Sequence, residues 1–159
     1  MKTAMISKRH FVFNVAMILF PWLSLILLGK RDLKRFSISG IFIIIFEIIN
    51  HKFGQKRKWW YFFDKQKSFL TNELPFSVGP YMPLSMWILK FTYGNFKKFL
   101  ITNAVADGLF AFFFINFLKK IKIIKLRRLN NFQFFWYLYY KSFLLYGVQS
   151  LVERARNSY

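Results

Sequence analysis

The sequence predicts an all-α fold, a polytopic transmembrane helical bundle of about five spans, and three observations carry that prediction. Of 159 residues, 55% are hydrophobic and 23 are Phe, more apolar than an ordinary soluble domain. The 25 Lys and Arg are collected between the apolar runs instead of being scattered through them. The runs themselves reach the roughly 17 to 25 residues that a helix needs to cross a bilayer core about 30 Å thick.

The first run is 11–28, FVFNVAMILFPWLSLILL. It follows Lys8, Arg9 and His10 as a signal sequence would, but no small-x-small cleavage site closes it, so it reads as a retained anchor kinked at Pro21. The second run, 36–53, carries Glu47, Asn50 and His51. The third, 76–93, is disturbed at its start by Gly79, Pro80 and Pro83. There the stretch 72–83 reads as a loop ending at the membrane surface, with a re-entrant start as the alternative. The fourth, 99–118, contains Asn103 and Asp107, and the fifth, 132–152, contains Lys141. Residues 1–159 are thus expected to form a single integral membrane domain with no separate soluble part.

Two connecting stretches look built for a lipid surface. Residues 56–70 interleave six aromatics with five basic residues, among them Lys56, Arg57, Lys58, Trp59 and Trp60. Residues 119–129 carry Lys119, Lys120, Lys122, Lys125, Arg127 and Arg128 around Ile121, Ile124 and Leu126, the pattern of a short amphipathic extension of the fourth helix. The expected partners are the bilayer itself and anionic headgroups. A net charge of +19 also raises nucleic acid, which is set aside because the basic clusters flank apolar spans. A protein partner or a homo-oligomer stays open.

Orientation follows from the same charges. The N-terminal tail and the 52–75 and 119–131 loops hold 3, 6 and 6 Lys and Arg, against 4, 2 and 2 in the 29–35 loop, the 94–98 loop and the C-terminal tail. The positive-inside rule then places the N-terminus in the cytoplasm of the cell and the C-terminus outside.

Within the spans a polar centre stands out. Glu47, Asn50 and His51 share one helical face at i, i+3 and i+4. At 1.5 Å of rise per residue, Lys141 and Asp107 come to nearly the same depth, roughly 12 to 14 Å from opposite surfaces. Asn103 lies one turn from Asp107 on the same face. An unpaired charge near the midplane costs about 2.5 to 3.5 kcal/mol on insertion scales, so Lys141 is expected to bridge toward Asp107, Glu47 or both. Lys90, near the outer end of the third run, is expected to snorkel to the interface.

Several readings of that centre compete: a structural charge pair, a path for protons, cations or small solutes through Glu47, Asp107 and Lys141, and a metal site of Glu47, His51 and Asp107. The metal reading lacks a second histidine at useful depth, and no cofactor pattern is present. Without cysteine there is no disulfide, thiolate ligand or thiol nucleophile. No HExxH, GxSxG or paired-aspartate motif occurs, which leaves a lipid-modifying enzyme with a buried carboxylate as base the only enzymatic reading. The leading expectation is a structural or interaction component of a membrane.

The stretches FPWLSLILLGK (20–30), KRKWW (56–60), ELPFSVGPY (73–81), WILKFTYG (87–94), Asp107 and LLYGVQ (144–149) resemble a family of small multi-spanning membrane proteins from Bacillus-like, spore-forming Gram-positive bacteria. The resemblance covers about 130 residues and implies a polytopic fold in a bacterial plasma membrane. It implies no catalytic or binding residue, because the family is uncharacterised.

Overall fold

The computed structural model describes residues 8–63 and 73–159 of the chain. They form a mostly helical fold in the order α1 (Lys8–Leu28), α2 (Lys30–Lys56), β1 (Trp60–Phe62), α3 (Leu74–Phe76), α4 (Met82–Thr92), α5 (Phe96–Leu109), α6 (Ile115–Lys120), β2 (Ile124–Leu126) and α7 (Asn131–Asn157). A π-helical turn, Ser77–Tyr81, joins α3 to α4, and a second, Phe110–Phe114, joins α5 to α6. Five helical rods result. Three of them, Lys8–Leu28, Lys30–Lys56 and Phe96–Lys120, are long and apolar enough to cross a membrane.

α1 runs unbroken through Pro21, and its neighbours explain why. Proline has no N–H for the Met17 carbonyl. That carbonyl instead faces the backbone of Gly79, so closely that a Cβ on Gly79 would stand 2.7 Å from it. In return, the Trp22 indole donates to the Val78 carbonyl at 2.8 Å. Val78 lies five residues before Pro83, which has no N–H to close the π turn. Residues 73–83, expected to be a loop or a re-entrant entry, are therefore helical with a π turn: Pro75 sits in the first turn, where its missing N–H is harmless, and side chains of α1 absorb the remaining breaks. Residue 72 lies outside the described residues, as do 64–70 of the aromatic-basic stretch and the tail 1–7.

The 29–35 segment is not a loop either. Gly29 alone, at φ 90°, turns the chain between α1 and α2, and Asp32 in the first turn of α2 suits the positive end of the helix dipole. Lys90 does not simply snorkel. Its ammonium donates to the Leu28 carbonyl at 2.9 Å and pairs with Asp32 at 3.2 Å, closing the C-terminus of α1.

At the opposite end, residues 119–129 do not extend the fourth helix. The helix stops at Lys120, Lys122 takes φ 57°, and Ile124–Leu126 pair antiparallel with Trp60–Phe62, Trp60 opposite Leu126 and Phe62 opposite Ile124. Burial decides this: Ile123 and Ile124 go inside with Trp60 and Phe62, whereas a continued helix would carry β-branched residues past the end of the core. The small sheet closes one end of the bundle. One apolar core lies beneath it, around Phe76, Ile115 and Phe134, and a second fills the far end, around Phe36, Met86 and Phe99. Tyr81 packs against both.

Candidate functional site

The polar centre lies where those two cores meet. Lys141 projects inward from α7 and is wholly buried; its ammonium donates to Glu47 Oε2 on α2, a residue itself 1% exposed. The same ammonium sits 4.3 Å from the Tyr137 ring centroid and 4.8 Å from that of Tyr81. Two π faces thus solvate the cation on the sides that the carboxylate leaves open. Glu47 Oε1 meets His51 Nε2 at 3.0 Å, one turn along α2, and His51 Nδ1 lies 2.6 Å from the Ser77 hydroxyl. A continuous polar chain, Lys141–Glu47–His51–Ser77, therefore links α7, α2 and the π turn before α4. The π turn widens the helix just where Ser77 must reach His51.

The other expected members of the centre are divided. Asn50 accepts a hydrogen bond from the Tyr140 hydroxyl at 3.0 Å and adds a second tie between α2 and α7. Asn103 is buried but spends its amide on the Phe99 carbonyl of its own helix. Asp107 is not the direct partner of Lys141. It lines a cavity of about 110 Å³ together with Glu47, His51 and Glu73, while Glu47 takes the ammonium. Depth alone could not choose between the two carboxylates, because helical rise places Lys141 between them; the packing of α2 against α7 makes the choice.

Glu73 was invisible as a site residue in the sequence, since it reads as part of a loop. It is 3% exposed. Oε1 accepts from the Trp60 indole at 3.2 Å, and Oε2 has no hydrogen-bond partner among the described residues. Burial pushes the Glu73 carboxyl above its ordinary pKa, and the Trp60 hydrogen bond only partly offsets that.

A second polar cluster holds the far ends of α2 and α7 together. Glu153 accepts from Arg35 at 2.7 Å and from Gln149 at 2.8 Å, and the buried Ser39 hydroxyl donates to Gln149 Oε1 at 2.7 Å. Arg156 donates to the carbonyls of Arg35 and Lys34. The signal for this cluster was the i, i+4 spacing of Gln149 and Glu153 within an otherwise aromatic helix.

The basic residues expected to meet headgroups collect at the sheet end. Lys56, Arg57, Lys58, Lys119, Lys120, Lys122, Arg127 and Arg128 are exposed, and the β1–β2 pairing merges the two loops into one surface, with the Arg127 and Arg128 amides donating to the Trp59 carbonyl. Lys125 stacks over Tyr61 and Phe63. Trp60 departs from the expectation: it is buried beneath the sheet, its ring edge-on to His51 at 5.5 Å, and Trp59 is half-buried against Tyr137. No group of His, Asp and Glu arranged to hold a metal occurs among the described residues. No family model, curated protein or solved structure matches the chain.

Proposed function

We propose that this is a five-span protein of a bacterial plasma membrane, N-terminus in the cytoplasm and C-terminus outside, acting as a structural or interaction component whose architecture is held by the Lys141–Glu47 pair. The observation that carries the reading is the closure of that pair: both side chains are essentially without exposure, and each neutralises the other. A device built this way fixes which helices pack and in what register. The fourth and fifth spans of the proposal are 74–92 and α7. Their support is directional: α7 turns Lys141, Ser142 and Gln149 inward and leaves Phe132, Trp136, Phe143 and Leu151 outward, so its outer face is apolar despite its polar residues. The merged basic surface at the sheet end then faces the anionic headgroups of the inner leaflet.

The absence of native cysteine makes the topology directly testable. A single cysteine replacing Arg127 should be shielded from an impermeant thiol reagent in intact cells, and one replacing Ser158 should react; the reverse pattern would refute the orientation. The hydrogen-bonded run Glu47–His51–Ser77 favours one second reading, a proton path. Proton flux in proteoliposomes that vanishes in Glu47→Gln would establish it, and absence of flux in the parent protein leaves the structural reading.

A further inference from the structure

The cavity beside the charge pair has the makings of a binding site. Six aromatic residues, Trp60, Phe62, Phe76, Tyr81, Phe110 and Phe134, line it along with Glu73 and Asp107. Leu84, Ala106 and Phe110 line both this cavity and a shallow apolar groove on the outer surface, where Leu109 and Phe113 are 55% and 70% exposed. The cavity therefore opens sideways, between α4 and the helix Phe96–Lys120, toward the lipid.

Charge inside the cavity is lopsided. Glu47 takes the Lys141 ammonium and touches His51, whereas Glu73 forms no ion pair with any described residue and Asp107 forms none at contact distance. Glu73 Oε2 is the sharper of the two: fully buried, without a hydrogen bond, and on the cavity wall. A buried acceptor without a donor is costly, and a ligand that brings one relieves the cost. Aromatic faces beside a carboxylate are the combination that attracts an ammonium. At roughly 15 Å³ per enclosed water, 110 Å³ admits a headgroup and its first methylenes and no more, so an attached chain must trail out through the gap.

We infer that this cavity binds the ammonium head of an amphiphile that enters from the bilayer between α4 and α5, with Glu73 as the anionic contact, the aromatic walls around the head and the tail lying along the groove at Phe110 and Phe113. Asp107 places a second carboxyl on the wall of the same cavity. The head comes either from an aminolipid of the membrane or from a free lipophilic amine, and the two share this chemistry.

The test uses the full chain in nanodiscs of phosphatidylglycerol alone, with dodecylammonium as probe, dodecanol and dodecyl sulfate as neutral and anionic controls, and quenching or shift of tryptophan fluorescence as readout. The cation should bind at least about tenfold more tightly than either control, and Glu73→Gln should remove most of that preference, as expected for loss of a charge-assisted contact. Glu47→Asp, which keeps its charge, and thermal melts of each variant report whether the fold is retained; Asp107→Asn offers a second, independent loss of preference if Glu73→Gln melts early. Competition by phosphatidylethanolamine added to the discs assigns the site to a lipid headgroup, and absence of competition assigns it to a free amphiphile. Equal binding of cation and dodecanol, or a preference untouched in folded Glu73→Gln and Asp107→Asn, overturns the inference.

Discussion

Removing the Lys141 charge should be far more damaging than removing the whole pair. In Lys141→Met, Glu47 keeps only its His51 contact and loses the ammonium from Oε2, at a position 1% exposed. Breaking a buried pair from one side costs about 3 to 5 kcal/mol, because the surviving charge is left without compensation. For a chain of this size each kcal/mol lowers the midpoint by about 2 to 4 °C, so a fall of roughly 6 to 20 °C is expected. The double variant Glu47→Gln/Lys141→Met leaves a polar amide and an apolar chain of similar volume, and should cost no more than about 1 to 2 kcal/mol. The two positions are then coupled by at least about 2 kcal/mol. Thermal unfolding of the four proteins in the same detergent, followed by tryptophan fluorescence, measures this. A double loss equal to the sum of the single losses would refute the reasoning. The same cycle run with Asp107→Asn in place of Glu47→Gln should give a clearly smaller coupling, since Asp107 influences Lys141 across the site without taking its proton donor.

Gly79→Ala should destabilise by about 1 to 3 kcal/mol, since the new methyl meets the Met17 backbone carbonyl at 2.7 Å and backbone cannot step aside; Gly147→Ala, with nothing within 4 Å, should be neutral or slightly stabilising in the same melts. Glu73 gives a pH signature. Its folded pKa is raised by burial, so between the unfolded and folded values the native state holds a proton that the unfolded chain has released. Its contribution is therefore fully present in acid and is lost as pH rises from the unfolded value through the folded one, and Glu73→Gln should flatten that part of the stability curve. Lys90→Met should loosen the α1–α2 turn, because it leaves the Leu28 carbonyl without its donor and Asp32 without its partner, and hydrogen exchange at the end of α1 should rise more than elsewhere.

Much of the candidate site was legible in the chain before it folded. A carboxylate, an asparagine and a histidine on one face of an apolar helix, and a lysine deep in another, have few tolerable arrangements in lipid. The pairing of Lys141 with a carboxylate follows from that cost alone. Other members were hidden for identifiable reasons. Glu73 reads as a loop residue because the prolines around it signal a break, and the break is cancelled only by Trp22 and Gly79 acting across the helix interface. Trp60 reads as an interfacial aromatic because its company is basic, and only its pairing with Leu126 turns it inward.

By itself, the sequence determined the helical class and the positions of the apolar rods. Both depend on quantities that run along the chain, the length of each apolar run and the placement of charge between runs. Which carboxylate takes Lys141, how the two basic loops pair into a sheet, and that three acidic residues surround one cavity were decided by the tertiary structure. Each of those depends on distances between residues far apart in the chain, and it is the packing of helix on helix, with every buried polar group seeking a partner, that sets such distances.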